Sequence, residues 1–283
     1  SSERLFAVVA RLVATGTAVI HVSHRLEEVL RIADVITVLR DGRVVTTVEA
    51  SQATVGGLVT AIIGHRLDEA DRRDRVVVPV SVPPSVVFRD VVIPGRLSGL
   101  SLELRPGEVV GLAGLEGAGQ ATVIDVMFGR ARVGSGSVRI LDLDRAPADP
   151  REAVRHGIAY VPSDRRRDGV MLEQGVGMNV AETDVGALGR TGWRATSQAL
   201  DQRGATWMER LGITGGGPRT RVGRLSGGNQ QKTVLARWLA VDPWLVLLED
   251  PLRGVDVGAK AAIHQLIRQL ARDGRTVVFR SAE

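Results

Sequence analysis

The stretch Gly111-Leu-Ala-Gly114-Leu-Glu-Gly117-Ala-Gly119-Gln120-Ala121-Thr122 lies between a β-rich run and a helical one. Glycines there let the backbone approach a ligand, and the N–H groups of the turn and helix start can cradle phosphates. Gly114 and Gly119 fit the spacing GxxxxG, after which Lys and then Ser or Thr are required. Here those positions hold Gln120 and Ala121, with Thr122 one position late. The point charge for the β- and γ-phosphates and the hydroxyl for magnesium are therefore both absent. A lysine about 4 Å from a phosphate contributes up to roughly 4 kcal/mol at a surface-like dielectric, before desolvation. Taken alone, the turn serves equally well as a plain strand-to-helix connection. A dinucleotide site is the rival reading, in which Gly117-Ala-Gly119 meets Thr122 where GxGxxG takes its third glycine.

A second cluster, Leu225-Ser226-Gly227-Gly228-Asn229-Gln230-Gln231-Lys232, runs straight into a helical pattern and supplies another set of N–H groups with a hydroxyl available to an anion. Seventeen residues after Lys232 come Glu249-Asp250-Pro251 at the end of an apolar run, followed by Arg253-Gly254-Val255-Asp256-Val257-Gly258-Ala259-Lys260. Other chemistries are excluded by composition. The chain has no cysteine, and its five scattered histidines offer no zinc spacing.

The elements that must position these clusters follow from periodicity and turn residues. Leu5, Val8, Val9 and Leu12 repeat at helical spacing, Thr17 to Val22 is β-rich, and Arg25 to Ala33 has one apolar helical face. Val35–Leu39 and Val44–Val48 flank Asp41-Gly42, a hairpin signal, and Ser51 is placed to cap a helix running to Gly64. Residues 65–84 are charged and then proline-rich, as in an exposed connection between domains. Beyond it, strands are expected at 85–93, 100–104, 108–112, 158–162, 244–248 and 276–279. Helices are expected after the glycine turn and at 150–157, 229–240 and 258–271, with a mostly helical stretch over 178–213. This alternation predicts an α/β fold, a parallel sheet with helices on both faces. Both ends of the chain read as cut.

The 283 residues, 44% hydrophobic and 24% charged, suit one large or two unequal globular domains. No apolar run approaches the roughly 18 residues of a membrane-spanning helix, and no export signal is visible. The net charge of +5 comes almost wholly from arginine, Lys232 and Lys260 being the only lysines, with 32 acids interspersed. That pattern reads as a solvated mixed surface. Arg165–Arg167 reads as an exposed turn, and 3% aromatic residues leave few platforms for stacking bases, so a nucleic-acid partner is not expected.

The order of motifs resembles the ABC transporter ATPases. LSGGNQQK (225–232) is similar to the family signature, LVLLEDP (245–251) to its Walker B strand and RGVDVGAK (253–260) to its D-loop. The NQQK and RGVDVGAK wording resembles the monosaccharide-import branch, whose subunits carry two nucleotide-binding domains in one chain. By that resemblance, residues 1–64 are the tail of a first domain, 65–84 a linker and 85–283 most of a degenerate second domain lacking its C-terminal end. A helical subdomain spans about 170–225. The implied fold is P-loop NTPase-like: a mainly parallel sheet, an antiparallel β part and the helical subdomain.

The resemblance also assigns roles. His24, in HVSHRLEE, corresponds to the switch histidine of the first domain, Glu249 to the metal-binding Walker B acid and Asp250 to the catalytic glutamate, the pair together standing for the catalytic acids. Gly114, Gly117, Gly119, Gln120, Ala121 and Thr122 correspond to the P-loop, Thr122 and Glu249 being the available metal positions. Ser163 stands at the Q-loop position, and Ser226, Gly227, Gly228 and Asp256 serve the partner domain's nucleotide. The implied ligands are ATP and Mg2+. The implied partners are integral-membrane permease subunits, a periplasmic or extracellular sugar-binding protein and another nucleotide-binding domain, at the cytoplasmic face of the membrane.

Departures accumulate in the second domain. The acid order is inverted to Glu249-Asp250, Ala282 stands at its switch-histidine position, and no aromatic lies between Arg89 and Ala113 to stack on adenine. A base shortened by one methylene, about 1.5 Å of reach, can lose on the order of 100-fold in rate. The expectation is an ATP-binding segment of a sugar importer that does not hydrolyse ATP at its own P-loop. The second reading is a non-catalytic, nucleotide-responsive subunit docking on a permease or partner ATPase.

Overall fold

The computed structural model describes residues 2–23, 25–40, 42–63, 78–115, 117–184 and 196–281. They divide into two compact units, one of Ser1–Arg75 with Asp256–Gly258, the other of Val76–Val255 with Ala259–Glu283. In the first unit, α1 (Ser2–Ala14) and α2 (Leu26–Ile32) precede the antiparallel hairpin of β1 (Val35–Arg40) and β2 (Arg43–Glu49), and α3 (Val55–Ile63) follows. Ile36 and Val38, on one face of β1, bury against Leu58 of α3.

Two local expectations fail there. Residues 17–22 form no strand, and Ile20 and Val22 are 93% and 90% exposed. β-branched residues favour extended backbone, but a strand needs a neighbour for its N–H and C=O groups. Ser51 lies in a 3-10 turn over Ala50–Gln52. The hydroxyl at the start of α3 is instead that of Thr54, which accepts from the Gly57 N–H at 3.1 Å.

The second unit contains β3 (Val86–Ile93), β4 (Leu97–Leu104), β5 (Val109–Leu112), α4 (Gln120–Met127), β6 (Ser135–Ile140), α5 (Pro150–Arg155) and β7 (Ile158–Val161). After these come α6 (Val176–Ala181), α7 (Ser197–Leu211), α8 (Gly227–Leu239), β8 (Leu245–Glu249), α9 (Val257–Arg272) and β9 (Thr276–Arg280). Strands β4, β3 and β6 form an antiparallel sheet, and β5-β9-β8-β7 a parallel one. Strand β6 was not legible, because its segment opens Gly134-Ser-Gly-Ser; pairing with β3 makes it a strand. Strand β4 begins three residues earlier than Leu100. Helix α5 ends at Arg155, two residues short of the reading, because Gly157 turns with φ +72°.

Alternate residues of the parallel strands enter two cores. Ala159, Val161, Val246, Leu248 and Val277 bury under α6 to α9. Ile158, Tyr160, Leu245, Leu247 and Val278 bury against α4 and the antiparallel sheet. Burial on both faces explains why these strands read as unbroken apolar runs. Each fully buried Leu or Ile contributes roughly 1.5–3 kcal/mol relative to exposure.

Candidate functional site

A parallel sheet delivers the C-terminal ends of its strands to one edge, where loops and helix N-termini gather around a ligand. Strand order puts β9 between β5 and β8, and the register aligns Leu112, Arg280 and Glu249 in one row. The glycine turn after β5 and the acid pair at the end of β8 thus flank Arg280.

The turn is open: Gly114, Leu115, Gly117 and Ala118 are exposed, while Glu116 lies outside the described residues. Gly119 has φ +106°, and a Cβ there would stand 2.7 Å from the Arg96 carbonyl oxygen, so only glycine starts α4 in this place. Gln120 bends back across the turn, its Nε2 donating to the Leu115 carbonyl at 3.2 Å. A side chain on Gly114 would collide with that amide. Gln120 thus braces the turn as a neutral donor where the family pattern has a cation. Ala121 brings no hydroxyl, and Thr122 is buried at 7% exposure in the first turn of α4. Beside the turn, residues 96–101 and Ala118 line an open groove of about 610 Å³.

Glu249 is buried and both of its oxygens are engaged. Oε2 accepts from the Tyr160 hydroxyl at 2.5 Å, and Oε1 from Arg280 Nε at 3.2 Å. Arg280 Nη2 stands 3.6 Å from Asp250 Oδ2, and the Asp250 N–H donates to the Arg280 carbonyl at 2.9 Å. Asp250 has φ +42°, a left-handed conformation that costs a non-glycine residue of order 1–3 kcal/mol unless its surroundings impose it. One turn into α4, Asp125 pairs with Arg130 at 3.3 Å; burial raises its carboxyl despite that partner.

Tyr160, the only tyrosine of the chain, is held above its ordinary value of 10.0, first by burial and then by its hydrogen bond to Glu249. The neutral hydroxyl is the favoured form, so its contribution to stability is complete below pH 10.0 and is lost as pH rises through the elevated value. The phenolate absorbance is therefore expected to stay absent in the folded protein at pH 10.0 and to appear near that pH in urea. Half-titration of the folded protein at pH 10.0 is the contrary result.

The second cluster starts α8. Ser226 is the N-cap, exposed, with Oγ accepting from the Asn229 N–H at 3.4 Å; Gly227 is half-buried and Gly228 buried. Three letters of NQQK have structural work. Asn229 exchanges hydrogen bonds with the N–H and hydroxyl of Thr214, each at 3.2 Å. Gln230 donates to the Leu225 carbonyl at 3.0 Å, and Lys232 to the Gly212 carbonyl at 2.8 Å, at the C-terminus of α7. They fix the helix start against the preceding loop and leave the face of Ser226 open.

Arg165 departs from the exposed-turn reading. It is partly buried and donates to the carbonyls of Arg253 at 2.7 Å and Gly254 at 3.0 Å. A Cβ on Gly227 would stand 2.7 Å from the Arg165 Nη2 and 3.0 Å from the Gly254 carbonyl oxygen that Nη2 bonds, so a side chain there would press on this hydrogen bond. Ser163, half-exposed, sits just before this turn, whose first N–H groups are capped by Asp164. Asp256 is exposed. His24 and Ala282 lie outside the described residues. Tyr160, Arg165 and Arg280 were missed because only their long-range partners mark them. Arg280 had one available signal, a charge ending an otherwise apolar strand.

Magnesium does not fit this acid pair: each oxygen of Glu249 already accepts a hydrogen bond, Arg280 supplies positive charge beside both acids, and the hydroxyl position holds Ala121. Among the described residues no cluster of His, Cys, Asp and Glu suits a metal ion, and no helix is long and apolar enough to cross a membrane.

A family model described as ABC transporter matches residues 97–253, more than half of the chain. The ribose import ATP-binding protein RbsA 2 of Rubrobacter xylanophilus is 41% identical, covering 100% of this chain and 54% of its own length. The RbsA protein of Rhodococcus jostii is 38% identical over 99% of this chain and 55% of its own length. The chain therefore spans about half the length of these relatives. A crystal structure of an ATP-binding cassette of an ABC transporter in its ADP conformation superposes with a TM-score of 0.57 at 21% identity, covering 70% of this chain and 81% of that one. A nucleotide-free cassette superposes with a TM-score of 0.58 at 20% identity, over 71% of this chain and 82% of that one. The glycine turn, the capped helix start and the acid pair all lie within the matched residues 97–253, and the chain belongs to the ABC transporter family.

Proposed function

We propose that the chain is a segment of the ATP-binding subunit of a sugar importer, acting at the cytoplasmic face of a membrane with permease subunits and a sugar-binding protein. Residues 85–283 are read as a second nucleotide-binding domain, 1–64 as the closing part of a first, and 65–84 as their connection. The names of the relatives support the sugar class and do not favour a purely regulatory subunit.

The observation that carries the reading is the exposed Ser226 N-cap at the start of α8, held by Asn229, Gln230 and Lys232 while its outward face stays open. Its hydroxyl hydrogen and the adjoining N–H groups suit the γ-phosphate of an ATP whose other side is gripped by the P-loop of a different domain. By the family pattern Gly227, Gly228 and Asp256 serve that same nucleotide, with His24 as the switch histidine of the first domain. Exposed Leu5, Val8 and Leu12 on α1 support a first unit whose apolar stripe packs on further chain. Binding of ATP closes the paired domains and turns the attached membrane helices, and hydrolysis resets them.

In this reading the chain's own P-loop is hydrolytically silent. The purified 283-residue chain is expected to show no magnesium-dependent ATP turnover, whereas a polypeptide of the relatives' full length turns over. Steady turnover by the short chain, abolished by Ser226→Arg, would overturn the assignment of silence to this half.

A further inference from the structure

We propose that Arg280 is the fixed counter-cation of the Glu249–Asp250 pair and excludes divalent metal from it, making this the metal-refusing half of the ATPase. The proposal rests on reading those acids as the P-loop site's own pair, and it goes beyond the loss of the P-loop lysine and hydroxyl.

Three placements carry it. The guanidinium is set by the sheet: Arg280 ends β9, in register between Leu112 at the root of the glycine turn and Glu249. It reaches both acids at once, Nε to Glu249 at 3.2 Å and Nη2 to Asp250 at 3.6 Å, while its own carbonyl accepts the Asp250 N–H. The remaining oxygen of Glu249 is taken by the Tyr160 hydroxyl. The side chains of Glu249, Asp250 and Arg280 are 10%, 12% and 27% exposed, so water screens these charges poorly.

A divalent cation approaching Glu249 has to share each oxygen with a hydrogen-bond donor already in place, and it meets a positive charge that a strand end holds there. Hard cations such as Mg2+ and Mn2+ require carboxylate oxygens that are free to coordinate. The pair's negative charge is already offset by a group that cannot diffuse away. Asp125, the other acid coupled to Glu249, is itself paired with Arg130. Arg280 is thus a specificity-determining residue that acts on metal access.

The test is a Mn2+ titration of the 283-residue chain without nucleotide, following the free-ion EPR signal. Wild type and Glu249→Gln are expected to bind Mn2+ equally weakly. Arg280→Gln is expected to gain a saturable site, about tenfold or more tighter than wild type, through loss of the positive charge that repels the cation, and adding Glu249→Gln is expected to remove it. A wild-type site abolished by Glu249→Gln overturns the proposal. So does a folded Arg280→Gln protein, checked by circular dichroism and melting, that binds no better than wild type. If Arg280→Gln does not fold, Arg280→Met, of similar length and uncharged, takes its place in the same comparison, and a wild-type site abolished by Glu249→Gln overturns the proposal in either case. Ion binding to this chain is independent of ATP turnover by the longer subunit, so failure here is distinguishable from failure of the importer assignment.

Discussion

In the longer ATP-binding subunit of the proposed function, Ser226→Arg is expected to lower ATP hydrolysis by about 100-fold or more, the scale of losing preorganised donors to a developing phosphate charge. Ser226 has two roles that use different parts of one hydroxyl. Its oxygen accepts from the Asn229 N–H to cap α8, and in the proposed function its hydrogen is donated to the phosphate on the exposed side. Arginine removes both, fills that face and sets a positive charge at the positive end of the helix. Loss of the cap costs only about 0.5–2 kcal/mol, so a folded but inactive protein is the expected phenotype. Ser226→Thr keeps the hydroxyl and is expected to restore most of the activity. Measuring turnover and melting temperature on the same samples separates the two effects, and a Ser226→Arg enzyme with near-normal turnover would remove the central support of the proposed function.

Asn179→Ala is expected to destabilise the second unit by about 2–4 kcal/mol, lowering its melting temperature by roughly 5–15 °C. Asn179 is fully buried, and its amide nitrogen donates to the carbonyls of Met171 at 3.0 Å, Gln174 at 3.4 Å and Gly175 at 3.1 Å. Its oxygen accepts from the Met171 N–H at 2.7 Å and faces Arg237 Nη2 at 3.5 Å. Arg237, on α8, is itself buried. It donates to the Gly169 carbonyl at 2.8 Å and to the Asn179 carbonyl at 3.0 Å, and pairs with Glu182 at 2.9 Å. The pair fastens the helix that begins at Ser226 to the turn that begins at Arg165. Truncation leaves buried donors and acceptors without partners, which costs more than the lost bonds themselves. Met178→Ala, one residue away on the same helix but 39% exposed, is expected to stay within about 0.5 kcal/mol of wild type. Equal melting of the two variants would show that the Asn179 network carries no stability.

Signals confined to a few neighbouring residues determined a good part of this protein. The hairpin around Gly42, the glycine turn between β5 and α4, the start of α8 at Ser226 and the apolar runs of β7, β8 and β9 all follow from turn chemistry, capping and periodicity. So does the absence of a lysine and a hydroxyl where the P-loop pattern has them. Strand β6 and the failed strand at residues 17–22 went the other way, because pairing partners distant in sequence decide whether a weak or strong local preference is realised.

The site's electrostatics belonged to the tertiary structure alone. Tyr160 and Glu249 are 89 residues apart, Arg280 and Glu249 are 31 apart, and Arg165 lies 89 from Gly254. Their meeting depends on the order β5-β9-β8-β7 and on a register that seats Arg280 between the glycine turn and the acids. Periodicity along a strand tells which face a side chain takes, but it carries no information about which strand lies beside it. A terminal arginine therefore reads as a solvated strand end until the neighbouring strand places a buried carboxylate against it.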